Sequence, residues 1–138
     1  MPHSLRVWDD ALYVLEAGRG ALVRVDLASG RREDVMHCPG FARGLAFVSH
    51  YAVLTISMPR PVAFEGLPLA GAMKARGAVP WRGLQVVDLR NGDVAHWLRL
   101  EGDVTELFDC ALIPQTRCPR ALGPWSRELG DVVRGEGL

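Results

Sequence analysis

Three basic side chains occupy places in the sequence where they could hold a ligand. His3 precedes the first predicted strand, Arg43 precedes Gly44 at the corresponding place further along the chain, and Arg60 opens a proline-rich stretch. An imidazole can ligate a metal or move a proton, and a guanidinium can clamp a carboxylate or phosphate with two hydrogen bonds. We therefore predict a binding surface around His3, Arg43 and Arg60. The alternative for His3 and Arg43 is a structural role, with each side chain bonded to nearby backbone carbonyls.

Catalytic motifs that can be recognised by spacing are absent from the sequence. It contains no GxSxG, Walker loop, HExxH or dinucleotide-binding fingerprint. The histidines and cysteines lack the spacing of zinc ligands. We therefore predict no catalytic residue, no metal ligand and no cofactor.

Composition narrows the class of protein and partner. The 138 residues carry sixteen basic and sixteen acidic side chains, so the chain lacks the positive field that nucleic acids and anionic membranes require. Its first residues do not resemble a signal peptide, and no apolar stretch is long enough to cross a membrane. The three cysteines include no CxxC pair, which predicts free buried thiols and a reducing cytoplasm.

Short apolar runs bounded by turn residues predict an all-β fold. Two of the turns share a pattern, because Asp26 and Gly30 recur further along the chain as Asp88 and Gly92, at a common offset of 62. In both, glycine permits the positive φ that a short hairpin loop needs. The predicted strands are 5–8, 12–16, 21–27, 33–38, 44–48, 51–58, 83–89, 94–100 and 107–113.

An internal repeat organises these strands. The segment 13–15 matches 52–54 at an offset of 39, whereas the turn pattern recurs at 62. The difference between the two offsets coincides with residues 59–81, which we interpret as a loop insertion with one short helix at 69–76. When the insertion is left out, the turn pattern also recurs at an offset of 39, and each repeat then contains four strands. A β-propeller blade also has four strands and roughly 40 to 45 residues. We predict a partial β-propeller, and the alternative is a two-sheet sandwich.

The predicted ring is incomplete. Residues 1–123 account for two blades and the start of a third, and residues 124–138 form a tail with a short C-terminal helix. Propellers typically contain four to eight blades. We therefore expect either a fragment of a longer protein or copies that assemble into a homo-oligomer to complete a ring.

Several stretches resemble one uncharacterised bacterial family, catalogued as conserved hypothetical proteins with a domain of unknown function. The resemblance runs to about Gly123 and includes Pro2-His3-Ser4, the stretch 40–47, Ser57-Met58-Pro59-Arg60 and the stretch 83–89. It implies a propeller-like fold and that this region is the C-terminal part of longer members. It implies no activity.

Two main hypotheses for function follow. The first is a non-catalytic binding or interaction module whose partner is a small molecule or protein. The second is an enzyme of the lactonase or lyase type, with a metal held in the channel by Glu16 and Asp109, the two carboxylates in predicted strands. A truncated product with no independent role is a third alternative.

Overall fold

Two four-stranded antiparallel sheets and one short helix make up the structure. This computed structural model describes residues 2–59, 66–117, 119, 121, 123 and 125–127. In both sheets each strand pairs with the next along the chain, which confirms the prediction of an antiparallel all-β fold. Sheet 1 contains β1 (Pro2–Trp8), β2 (Ala11–Glu16), β3 (Ala21–Asp26) and β4 (Arg32–His37), and sheet 2 contains β5 (Phe41–Val48), β6 (Tyr51–Ser57), β7 (Gly83–Asp88) and β8 (Val94–Arg99).

Both hairpins predicted from the Asp–Gly turn pattern are present. The Gly30 amide donates to the Asp26 carbonyl at 2.9 Å, and the Gly92 amide donates to the Asp88 carbonyl at 2.8 Å. The two glycines have φ of 70° and 78°, a region that other residues enter at a cost of about 1 kcal/mol. The turn residues therefore fix where β3 and β7 end.

The hydrophobic core lies between the two sheets. The ring of Phe47 on β5 stacks on Trp8 of β1, with centroids 5.4 Å apart, and also contacts Tyr13 of β2 at 5.0 Å. Burying a Leu or Ile side chain stabilises a fold by about 1.5–3 kcal/mol, so this layer is a main source of stability. Its buried members on β2 and β6 are Ala11, Tyr13, Leu15, Ala52, Leu54 and Ile56.

The sheets bury non-equivalent faces against each other. The two-residue turns at 9–10 and 49–50 each join the first two strands of a sheet and are 40 residues apart, so Tyr13 and Val53 occupy the same position in their strands. Tyr13 is buried in the layer between the sheets, whereas Val53 alternates with the core residues of β6 and lies on the opposite face. The predicted offset of 39 was wrong by one position. The offset of 39 had aligned apolar residues of β2 with apolar residues of β6 that lie opposite them across the core. Because side chains alternate between the two faces of a strand, a shift of one residue moves each of them to the other face.

The insertion between β6 and β7 contains the predicted helix. Helix α1 (Pro68–Ala75) begins with a proline, which is favoured in the first turn, and buries Leu69 and Met73, which lie one helical turn apart. The Leu69 amide donates to the carbonyl of Gly18, in the β2–β3 turn of sheet 1, at 3.0 Å. The insertion from sheet 2 therefore packs on sheet 1. Within the described ranges no helix has the length and apolar character needed to cross a membrane.

Two predictions near the C-terminus were wrong or lie outside the structure. Residues 107–113 contain no strand, so Asp109 is not a strand carboxylate. The backbone of Leu107 bonds instead to the Ser57 side chain, which replaces the ladder of a neighbouring strand. Most of the predicted tail helix lies outside the described residues. Trp125, in this tail, is exposed.

Candidate binding surface

The predicted residues His3 and Arg43 lie near the start of neighbouring strands. His3 is half-buried on β1 and pairs with Leu15 of β2. Next to it, the Ser4 hydroxyl donates to the carbonyl of Arg43 on β5. The structure thus brings two of the three predicted residues to the same end of the sheets. Arg60 lies outside the described residues.

The Arg43 side chain already has protein partners. Its Nη1 donates to Glu106 Oε2 at 3.1 Å, and its guanidinium lies 5.2 Å from the centre of the Phe108 ring. Both members of the ion pair are largely buried. An ion pair shielded from water is stronger than one on the surface, and a cation over an aromatic face adds to it. Arg43 therefore holds the segment after β8 in place.

A turn-like irregularity at Gly44 lets that segment approach β5. The register of β5 against β6 shifts between Ala42 and Leu45, as in a β-bulge. A Cβ on Gly44 would lie 2.6 Å from backbone atoms of Asp109, closer than any side chain allows. The Gly44 amide donates to the Thr55 hydroxyl at 2.7 Å. Glycine is needed here for close approach between two backbones.

The two carboxylates considered as metal ligands are paired with arginines. Glu16, the last residue of β2, accepts hydrogen bonds from Arg19 and Arg32. Burial opposes ionisation of Glu16, but these two hydrogen bonds outweigh it and lower its pKa. Asp109 lies 3.4 Å from the guanidinium of Arg6. Among the described residues, no three His, Cys, Asp or Glu side chains are grouped so that they could hold a metal ion.

A cavity of about 190 Å³ lies between α1 and the turns of sheet 1. Leu69 and Met73 of α1 and Cys38, which follows β4, form buried parts of its wall. Burial raises the pKa of the Cys38 thiol to about 12, so this cysteine is a neutral apolar group at physiological pH. Cys38 and Cys110 are free thiols; Cys38 is buried as predicted, whereas Cys110 is only half-buried. Cys118 lies outside the described residues.

Gln85 is the polar group in the buried wall of this cavity. Its side chain is on β7 and only 6% exposed. Its Oε1 has no hydrogen-bond partner in the structure. A buried acceptor without a partner costs about 1–3 kcal/mol. The oxygen is itself inaccessible to solvent, so it lies behind the surface of the cavity wall.

Sequence reasoning missed Gln85 and Glu106 as contributors to these sites. For Gln85 there was a signal, because it is the polar residue inside the apolar strand Gly83-Leu84-Gln85-Val86-Val87. Glu106 had none, since it lies 63 residues from Arg43. Only the packing of the segment after β8 brings the two together.

Comparison with known proteins places the chain in a family. No curated protein and no solved structure matches it. The family model for a domain of unknown function, DUF4915, matches residues 1–122. The match covers the bulge of β5, the insertion with α1 and the segment after β8. The chain belongs to the DUF4915 family.

Proposed function

We propose that this chain is a non-catalytic binding and assembly module that supplies two consecutive blades of a β-propeller. The observation that carries the proposal is the contact of non-equivalent faces in the core, Tyr13 from one sheet against Phe47 from the other. In a propeller each blade covers the opposite face of the next one. Two sheets packed by equivalent faces would support a closed sandwich instead.

Repeated backbone contacts support a third unit that begins after β8. The Cys38 amide donates to the Gly20 carbonyl at 2.7 Å, and at the equivalent place in sheet 2 the Leu100 amide donates to the Arg82 carbonyl at 3.0 Å. The two bonds are related by the same offset as the two Asp–Gly turns. This equivalence supports a path after Leu100 like the one that leads from β4 into β5. The contact of the residues after Leu100 with Gly44 supports a role as the inner segment of a third blade.

The pairing of charged side chains supports binding rather than catalysis. Glu16, Asp109 and Arg43 each have a counter-ion within the protein. A carboxylate already neutralised by arginines is a poor ligand for a divalent cation, because the metal would have to displace them. The free buried thiol of Cys38 supports a reducing compartment such as the cytoplasm.

A second copy of the same chain is the partner that we propose for the outer face of sheet 1. Val7 is 64% exposed on this face, beside the exposed Leu5 and the half-buried Leu12 and Val14. The equivalent face of sheet 2 is the one buried against sheet 1. The face of sheet 1 around Tyr13 covers that equivalent face of sheet 2. The outer face of sheet 2 corresponds to the face around Tyr13, so in a second copy it is suited to cover the outer face of sheet 1. Head-to-tail contacts of this kind close into rings when the rotation allows it.

The solution mass tests this proposal. We expect multi-angle light scattering of the purified chain to report a discrete oligomer at micromolar concentration, and Val7→Glu to reduce its mass to that of the monomer. Val79→Glu is the matched control, since Val79 is 77% exposed in the loop after α1, and we expect it to leave the oligomer intact. A monomeric wild-type chain that unfolds cooperatively would contradict the proposal.

A further inference from the structure

We propose that a cleft between the two sheets binds an organic monocarboxylate with an apolar body. The cleft has a volume of about 510 Å³ and is lined in part by residues of the β1–β2, β5–β6 and β7–β8 turns. Ligand sites in proteins typically have volumes of about 300–1,000 Å³. One chain supplies the whole lining, so the inference goes beyond assembly of the chain and does not depend on it.

The Tyr13 hydroxyl is a hydrogen-bonding group that opens onto this cleft. The Tyr13 side chain is 5% exposed and lines the cleft, and its ring is held against Phe47. The hydroxyl makes no hydrogen bond to any described residue, yet its oxygen is not among the buried atoms that are closed to solvent. Because the ring is already fixed, this hydroxyl can donate to a ligand at little cost in side-chain entropy.

Arg24 is a second donor and a direct neighbour of Tyr13. The two residues are paired across β2 and β3, so their side chains lie on the same face with Cβ atoms about 5 Å apart. Arg24 Nη1 lies 3.9 Å from Glu33 Oε2, and both side chains are more than one-third exposed. An exposed contact of this length contributes little to stability. The planar fork of Arg24 is thus available to bind a carboxylate through two hydrogen bonds.

Arg90 lies on the opposite side of the cleft, in the β7–β8 turn of sheet 2. Its Nε donates to Asp88 Oδ1 at 2.9 Å and its Nη2 donates to Asp88 Oδ2, whereas Nη1 makes no hydrogen bond within the described part of the chain. The Asp88 carboxylate offsets the charge of Arg90 and holds the guanidinium in place. Arg90 therefore offers a donor to a ligand without adding net charge.

The charges at the cleft favour a ligand with one negative charge. Hydrogen bonds to a charged acceptor are about twice as strong as those to a neutral one, so the donors of Tyr13 and Arg24 favour a carboxylate over a hydroxyl group. Asp9 also lines the cleft, and it has no counter-ion among the residues that the structure describes. Its carboxylate would repel a second negative charge on the ligand. A monocarboxylate therefore fits better than a phosphate dianion.

Apolar surface from both sheets is available to the body of the ligand. Trp8 of β1 and Leu89, which follows β7, are half-buried and line the cleft. The Trp8 indole Nε1 donates to the Ser49 carbonyl at 3.1 Å, and its ring stacks on Phe47. These two contacts hold the indole in place. Benzoate combines an apolar ring with one carboxylate, so it is the probe that we choose for this site.

Nuclear magnetic resonance of the tryptophan indole groups tests the site. Benzoate, acetate, inorganic phosphate and benzyl alcohol are titrated separately into the full chain at constant ionic strength and mildly alkaline pH, where phosphate is a dianion. We expect a saturable shift of the Trp8 indole signal with benzoate and about tenfold weaker binding of each other compound. Acetate lacks the apolar ring, phosphate carries the additional charge, and benzyl alcohol lacks the carboxylate.

Two variants remove the proposed donors. Tyr13→Phe deletes a hydroxyl that has no partner among the described residues, and it should weaken benzoate binding about tenfold. Arg24→Gln removes both the charge and the fork, and it should weaken binding about 100-fold. The matched control is Arg31→Gln, which removes one positive charge from the exposed β3–β4 turn and should leave the affinity for benzoate unchanged.

Three results would overturn the proposal. These are no saturable shift of Trp8 with benzoate, binding of any comparison compound as tightly as benzoate, and an affinity for benzoate that is unchanged in Arg24→Gln or Tyr13→Phe. Circular dichroism shows whether each variant is folded. Should Arg24→Gln fail to fold, Arg24→Lys keeps the charge but lacks the fork, and it should still weaken benzoate binding about tenfold.

Discussion

Replacing Gly44 by alanine tests whether the segment after β8 is an integral part of the fold. A Cβ at this position would lie 2.6 Å from the Cα and carbonyl carbon of Asp109. Carbon atoms in contact are normally about 3.5–4.0 Å apart, so the two backbones must separate by about 1 Å. Both atoms belong to backbone, and no rotation of a side chain can relieve the clash.

The loss of stability follows from the hydrogen bonds that this separation breaks. The Leu107 amide donates to Ser57 Oγ at 2.8 Å, and the Ser57 hydroxyl donates to the Leu107 carbonyl at 3.1 Å. The Met58 amide donates to the Thr105 carbonyl at 3.1 Å. Each is worth about 1 kcal/mol net, so we expect Gly44→Ala to lower the free energy of unfolding by about 3 kcal/mol.

Urea denaturation, followed by tryptophan fluorescence, measures this change, and hydrogen exchange of the Leu107 amide shows where it arises. The control is Gly123→Ala, because a Cβ on Gly123 meets nothing within 4 Å, and we expect a change below about 0.5 kcal/mol. Wild-type stability and wild-type protection of Leu107 in Gly44→Ala would refute the reasoning.

Three further predictions concern other features of the structure. Arg43→Met and Glu106→Gln each break the largely buried ion pair, and a double-mutant cycle in urea should give a coupling of about 1–2 kcal/mol, whereas additive effects would show that the pair is not coupled. Hydrogen bonds from Arg90 lower the pKa of Asp88 from 3.8 to about 2. Stability from this pair is thus present above about pH 4 and is lost as the pH falls toward 2. In Asp88→Asn, the free energy of unfolding should fall less steeply with pH in this acidic range than in the wild type. An unchanged pH dependence would contradict the stabilising role of the Asp88–Arg90 pair. Gly71→Ala on α1, where a Cβ meets nothing within 4 Å, should stabilise the protein by about 0.5–1 kcal/mol in thermal melts, and destabilisation would indicate a contact that the structure lacks.

The strand boundaries could be predicted because local signals determine them. Gly30 and Gly92 end hairpin loops at positive φ, and Pro68 starts a helix whose apolar residues repeat at helical spacing. Each of these signals acts over a short stretch of chain. Six of the eight strands lie within one residue of their predicted bounds, whereas β1 and β5 each begin three residues earlier than predicted.

The contacts of the candidate sites could not be predicted in the same way. The partner of Arg43 is a carboxylate 63 residues away, and local sequence contains nothing that selects it. The segment 107–113 has the apolar residues of a strand, but the strand pairing that those residues predict is absent. The predicted repeat offset shows a related limit, because apolar residues mark burial and do not say which face of a sheet is buried.

The attachment of α1 has a consequence for how the protein unfolds. The helix is inserted between two strands of sheet 2, yet its Leu69 amide is bonded to Gly18 and its side chain packs against Gly20 in sheet 1. Neither sheet can detach without also releasing the helix, so the helix links the two sheets energetically. The two sheets should exchange their amide hydrogens as one cooperative unit, with similar opening free energies on both sides of the core.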